Sequence, residues 1–240
     1  MNFEIPAEPI GTIVALWRYP VKSMGAESLD EVELSWHGLV GDRRWAFVRG
    51  GVERSGFPWL TIREKPDMWH YRPRFVESEN PDKSPVTVRT PSGSDFDVVD
   101  PGLAEELGHD ARIIKQSRGV FDTFPLSLIT TRTVADLGVL MGGDVDVQRF
   151  RPNLLVEPVE REAFPEDAWV GKVLQIGDAR MRIDKRDSRC AVVNVDPGTA
   201  VSEPSVLRTI TDARDKCLGV YGSTVQPGRI AVGDAMFLVG

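Results

Sequence analysis

With two cysteines, three histidines and three tyrosines among 240 residues, the sequence holds few of the side chains that do covalent or metal chemistry. Cys190 and Cys217 form no Cys-x-x-Cys pair, which excludes a zinc ribbon and a dithiol redox centre of the thioredoxin kind. Spacing alone establishes no bridge between them, so both are expected as free thiols. His37, His70 and His109 lie far apart without cysteine or carboxylate partners at ligand spacing, and a zinc site has no support. No apolar run is long enough to cross a bilayer as a helix. The opening Met1-Asn2-Phe3-Glu4-Ile5-Pro6 is acidic and short of apolar residues, unlike a signal peptide, and a cytoplasmic address is the default expectation. A net charge of −7 with scattered basic residues argues against a general nucleic-acid binder. Gly-x-Ser-x-Gly, Walker A and Gly-x-Gly-x-x-Gly motifs are absent, and so is any flexible linker or low-complexity tract.

What is present is a chain rich in short β patterns. Ile10 to Val21 is β-branched and aromatic and reads as a strand ended by Pro20, with Lys22 and Ser23 just beyond it. Glu31-Val32-Glu33-Leu34 alternates, and Gly38 to Gly41 turn the chain into Arg44-Trp45-Ala46-Phe47-Val48 with Asp42-Arg43 at its mouth, so these three strands are expected to start one antiparallel sheet. A hairpin joins Val86–Arg89 to Phe96–Val99, Asp100 and Pro101 open a helix that Gly108 ends, and Ala111 to Ile114 is another strand. Gln116 to Asp122 is the candidate boundary between two closely packed subdomains, 1–118 and 119–240. In the second, a strand over Leu126–Thr130 runs into a helix capped by Thr130 or Thr131 and stopped by Gly142-Gly143, and Glu203 to Arg214 reads as a further helix. Val173–Ala179 echoes Ile230–Ala235, and each Gly-Asp pair is expected to turn a hairpin of one sheet or barrel. The fold class is therefore mainly β with a few short helices.

The stretch from Met181 to Gly198 carries the chemistry. Cys190 follows Lys185, Arg186 and Arg189, and positive neighbours favour a thiolate. The Ala-Val-Val that follows makes a buried, inert cysteine the ordinary alternative. Asp196-Pro197-Gly198 is a turn signal, which places Cys190 at the start of a short strand. Other polar groups stand at strand ends: Lys22-Ser23, Asp42-Arg43, Arg151 with Asn153, and Ser188-Arg189. Singly each is an ordinary solvated charge; converging, they would make a pocket for an anion.

Tyr19-Pro20-Val21-Lys22-Ser23, Gly41-Asp42-Arg43-Arg44-Trp45, Thr61-Ile62-Arg63-Glu64-Lys65-Pro66, Phe150-Arg151-Pro152-Asn153, Ser188-Arg189-Cys190 with Val195-Asp196-Pro197, and Tyr221-Gly222 occur in an order that resembles MOSC-domain proteins, the molybdenum cofactor sulfurase C-terminal family, and most closely its amidoxime-reducing branch. The resemblance covers nearly the whole chain. It implies an N-terminal β-barrel domain packed against a MOSC β-barrel domain, with a molybdopterin cofactor between them. It also implies Cys190 as the molybdenum ligand and catalytic residue, and Lys22, Ser23, Arg43, Arg151, Asn153, Ser188, Arg189 and Tyr221 around the cofactor. Thr130 and Thr131 fall where the family places further polar contacts. The implied activity is reduction of small N-hydroxylated compounds; charge and the lack of a long apolar run add the expectation of no nucleic-acid or membrane partner. A sulfur carrier with a Cys190 persulfide is the alternative. Two departures stand out: Asp187 occupies a place where the family's reductases often carry an extra cysteine, and no ferredoxin-like extension follows, so electrons are expected from a separate protein.

Overall fold

The computed structural model describes residues 8–52 and 54–239. The reading of Met1 to Pro6 as no signal peptide lies outside the described residues.

The first half contains β1 (Gly11–Arg18), β2 (Glu27–Leu29), β3 (Glu31–Ser35), β4 (Gly38–Leu39), β5 (Trp45–Val48), β6 (Arg72–Phe75), β7 (Val86–Arg89), β8 (Asp95–Asp97), the helix α1 (Pro101–Leu107) and β9 (Arg112–Lys115). The second contains β10 (Leu126–Thr130), α2 (Thr131–Met141), β11 (Leu154–Pro158), β12 (Val173–Ile176) and β13 (Ala179–Ser188), then α3 (Ser205–Arg214), β14 (Cys217–Gln226), β15 (Gly228–Ala231) and β16 (Ala235–Val239).

Seven strands close into a barrel in the order β11-β10-β14-β13-β12-β16-β1, with β1 pairing back onto β11 and β2 added beside β1. Closure removes the exposed edges that an open sheet would present. The closing strand comes from the first half: Ile13 and Leu16 of β1 enter the same core as Leu126, Leu154, Leu174, Ile183 and Met236. The pairing thus runs across the boundary expected near residue 118.

β1, β3 and β5 do not form one sheet. β3 pairs with β15 and β4, β5 with β9, and β1 joins the barrel. Their alternation shows that each has a buried face, but partners are set by which distant strand completes that burial. The two Gly-Asp pairs also part company. Gly177-Asp178 turns the β12–β13 hairpin, with Ile176 opposite Ala179. Gly233-Asp234 instead carries the chain from the β3–β15 sheet to the barrel, the Gly233 N–H donating to the Ile13 carbonyl at 2.8 Å.

Local signals for the helices act as chemistry requires. Asp100 accepts from the Gly102 N–H at 2.8 Å, and Thr130 from the Thr133 N–H at 3.1 Å, each cap contributing on the order of 1 kcal/mol. α2 ends at Gly142 in the left-handed conformation. α3 begins at Ser205 without a cap of its own, and Asn194 Oδ1 takes the Leu207 N–H at 2.9 Å instead. A second core, around Phe47, Leu60, Trp69 and Leu103, fills the first half and includes Val195 from the loop after Cys190. The two halves are keyed together by that residue as well as by β1.

Candidate functional site

Between the halves lies a cleft of about 830 Å³ including its open mouth. Lys22, Ser23, Arg43 and Arg63 line it from the first half; Arg151, Asn153, Ser188, Arg189, Cys190 and Tyr221 line it from the second. Nine of these ten were singled out as pocket residues from sequence; Arg63 was not. The connecting stretch expected as a boundary forms a wall through Phe121, Asp122 and Phe124, and is pinned by the Val120 N–H donating to the Arg43 carbonyl at 2.8 Å.

Backbone conformation aims the cations. Ser23, Arg43 and Arg151 all have positive φ, at 67°, 48° and 50°. Left-handed backbone costs a non-glycine residue about 1–3 kcal/mol, and three such residues facing one cleft mark it as a place where geometry is held against local preference. Buried Asp42 is the clamp. Its Oδ1 accepts the Tyr19 N–H at 2.7 Å, and its Oδ2 accepts from Asn153 Nδ2 at 3.2 Å and from Arg43. The Arg43 and Arg151 guanidinium groups lie 4.5 and 4.2 Å from the centre of the Tyr19 ring. Arg43 Nη2 also donates to the Arg151 carbonyl at 3.1 Å, so cations from the two halves are fixed to each other.

Concentrating these charges has a cost that the titration behaviour registers. Burial, aided by Arg43, pushes Arg151 down to about 10. Burial lowers Lys22 as well, opposed by Asp122, which takes its Nζ at 2.5 Å. In Arg43 burial is outweighed by Asp42, and its guanidinium is held above the usual value. Arg151 Nη2 is buried with no hydrogen-bond partner. An unsatisfied buried donor costs about 1–3 kcal/mol, and among like charges its natural complement is an anion with acceptor oxygens, such as a phosphate.

Cys190 lies just past the end of β13, at the head of a single 3-10 turn over Ala191–Asn194, and not at the start of a strand. The period-two run from Met181 onward is the strand; Val193 and Val195 are buried in two different cores, so no regular strand continues. Nor do its sequence neighbours supply its positive field. Arg186 turns away to Asp167 and the Arg214 carbonyl, and Lys185 lies near the Phe124 ring. Arg189 points inward, donating to the Leu218 and Phe150 carbonyls at 2.7 and 2.8 Å and pairing with Asp187 at 2.8 Å. The cation at the sulfur is Arg63, whose Nη2 is 3.0 Å from Cys190 Sγ. It lay inside a recognised motif, but nothing in the spacing tied it to Cys190.

Thr130 and Thr131 are not among the residues that line the cleft. Thr130 is fully buried, where it caps α2 and donates to Glu166 at 2.8 Å; Thr131 donates to Glu157 at 2.5 Å. Both hydroxyls are thus taken by carboxylates of the second half, Thr130 by Glu166 and Thr131 by Glu157. Asn153 lines the cleft, but its amide is engaged with Trp17, Asp42 and Ser127 and serves to join strands. Sequence reasoning missed Arg149, which bridges Asp196 and Glu203 and ties down the loop after Cys190. It also missed Phe57, Phe121 and Phe124 on the cleft walls, since single aromatics carry no spacing signal.

Fold and site together define a mainly β protein with one closed seven-stranded barrel, a cation-lined cleft between its halves and a cysteine at the cleft's edge. The chain belongs to the MOSC family: the MOSC domain matches residues 115–237 and the MOSC N-terminal beta barrel domain residues 10–117. It is similar to human mitochondrial amidoxime-reducing component 1, at 26% identity over 97% of this chain and 84% of that protein. Mitochondrial amidoxime reducing component 2 of Bos taurus is 25% identical over 96% and 84%. A molybdenum cofactor sulfurase of Caenorhabditis briggsae is 24% identical over 91% of this chain and 34% of its own length. In fold the chain resembles the YUAD protein from Bacillus subtilis, with a TM-score of 0.52 over 95% of this chain and 94% of that one at 11% identity.

Proposed function

We propose that this MOSC-family protein is a molybdenum-cofactor-dependent oxidoreductase that reduces small N-hydroxylated compounds. The observation that carries the reading is the convergence of Lys22, Ser23, Arg43, Arg151 and Cys190, from both halves, on one cleft. The fit to a phosphorylated pterin rests on chemistry present there: a buried unpartnered Arg151 donor, an excess of cations, and a thiol at the edge. Lys22, Ser23, Arg43 and Arg151 would hold the anionic end, while Arg189, bonded inward, would shape the floor. Cys190 would be the single protein ligand, a soft donor suited to the metal. The bound metal would supply the two-electron redox chemistry, and the protein supplies ligand, orientation and field. The amidoxime-reducing names of its relatives support the same substrate class.

No described helix is long and apolar enough to cross a membrane. We take the protein to act in the cytoplasm and to receive electrons from a separate electron-transfer protein. The test is metal and pterin content of the purified protein, with benzamidoxime reduction by a chemical one-electron donor. About one molybdenum per chain with turnover is expected. A metal-free protein that carries a stable Cys190 persulfide would favour sulfur transfer instead.

A further inference from the structure

Arg63 stands at the mouth of the cleft on a turn that the first half holds rigid. Leu60 and Ile62 are buried on either side of Thr61. Glu64 Oε2 accepts the Thr61 N–H at 3.0 Å and its hydroxyl at 2.6 Å, and the Lys65 N–H donates to the Thr61 carbonyl at 3.0 Å. Arg49 ties this turn to the loop before it: its Nη1 pairs with Glu64 at 3.3 Å and its Nη2 donates to the Phe57 carbonyl at 2.9 Å. The Arg63 guanidinium then lies over the Phe57 ring, 5.4 Å from its centre. From there Nη2 reaches Cys190 Sγ at 3.0 Å.

We propose that Arg63 is a specificity-determining residue of this cleft, which selects aromatic N-hydroxylated compounds that carry a carboxylate. This deepens the reductase reading and rests on it. The carboxylate is a handle only: it accepts hydrogen bonds from Arg63 while the N–O group is presented at the Cys190 edge, and it takes no part in bond breaking. A guanidinium offers five N–H donors in a planar fork, so one donor at the sulfur leaves others to take a carboxylate.

The other cations of the cleft are already committed. Lys22 is paired with Asp122, Arg43 with Asp42 and Arg189 with Asp187. The Arg151 guanidinium is packed against the Tyr19 and Trp69 rings, 4.2 and 4.6 Å from their centres. Arg63 differs from them all. It is exposed at the cleft mouth, and among the described residues it forms no ion pair. The acidic groups that act on it, Asp122 and Glu64, are held by Lys22 and by Arg49. A molecule entering from solvent can therefore reach this guanidinium beside the sulfur without displacing a carboxylate of the protein. Phe121 and Phe124, half-buried on the cleft wall, offer an apolar surface to an aromatic ring. An unpaired cation and an aromatic wall in one mouth suit an aryl carboxylate, whereas a neutral aliphatic compound would use neither.

Cofactor-loaded parent, Arg63→Met and Arg63→Lys test this with benzamidoxime and 4-carboxybenzamidoxime, reduced methyl viologen supplying the electrons. The quantity read is the ratio of the two kcat/KM values. The parent should favour the carboxylate substrate about 10-fold, the low end for a charge-assisted contact because the guanidinium is exposed. The preference should sit in KM and shrink as salt rises, as an exposed charge contact does. Arg63→Met should bring the ratio near one at every salt concentration, and Arg63→Lys should keep part of it. A change in fold or in cofactor content would slow both substrates alike and leave the ratio where it was. Calorimetry gives a readout without turnover: benzoate should bind the loaded parent about 10-fold more tightly than benzamide does, and the two should bind Arg63→Met alike. A parent with no preference, or an Arg63→Met that keeps it, overturns the assignment and leaves the reductase reading standing. A loaded parent that reduces neither compound overturns that reading, and the substrate role of Arg63 with it.

Discussion

Arg63 Nη2 sits 3.0 Å from Cys190 Sγ although 127 residues separate them in the chain. Contact with the sulfur raises the Arg63 guanidinium above its usual value, outweighing the cost of partial burial. The charge beside the sulfur thus belongs to the first half of the molecule, and the thiol to the second. A site assembled this way is complete only when the halves are docked, which β1 and Val195 ensure by building each half into the other's core.

Cys190→Ser should lose the metal and the metal-centred activity while unfolding at the same temperature as the parent. Its position at the cleft edge, outside the fully buried core, is why the fold should tolerate the change. Metal analysis and a thermal melt check both halves of the expectation, and a serine variant that reduces benzamidoxime normally would remove Cys190 from the mechanism. Cys217→Ala, at the start of β14 opposite Ser188, should leave activity unchanged.

Arg43→Ala and Arg151→Ala should lower bound pterin and turnover together. Each charge-assisted contact contributes on the order of 1.5–3 kcal/mol, so each variant should bind the cofactor roughly 10- to 150-fold more weakly. Released pterin, measured by fluorescence after oxidation, reports the loss. Turnover that falls while pterin stays bound would reassign these arginines to the chemical step.

Glu166 provides a test of stability against pH. It is fully buried, Thr130 and Thr133 donate to its Oε2 at 2.8 and 2.7 Å, and Oε1 has no partner. Burial raises its carboxyl above 4.5, outweighing both hydroxyls. The folded state therefore binds this proton more tightly than the unfolded state. Its contribution is fully present below about pH 4.5 and is lost as pH rises from there through the folded-state value. Urea denaturation across pH 4 to 8 should show Glu166→Gln losing less stability than the parent as pH rises. Parallel curves for the two would show that Glu166 is not the group responsible.

Thr130→Ala should destabilise the protein by about 1 kcal/mol through loss of the α2 cap, and Thr131→Ala by less. Neither should change pterin content, since both hydroxyls serve the helix N-terminus and its carboxylate neighbours. A pterin loss in Thr131→Ala would restore it to the cofactor site.

Local order was written in the sequence because its causes are local. Asp100 and Thr130 announce their helices through a side-chain oxygen two or three residues before the amide it caps, and a Gly-Asp pair announces a turn, although only Gly177-Asp178 closes a hairpin. Much of the cleft lining was legible only through the order of motifs that resembles MOSC proteins, because each strand-end charge taken singly reads as an ordinary solvated group. The tertiary structure decided the rest. It sent β1, β3 and β5 to three sheets, turned Arg189 inward to the Phe150 and Leu218 carbonyls, drew Thr130 and Thr131 away from the cleft, and brought Arg63 to Cys190. An alternating pattern specifies that a face is buried but not against what, and an arginine side chain is long enough to serve any of several partners. Those choices are made only when barrel closure and the docking of the two halves fix which distant groups can meet.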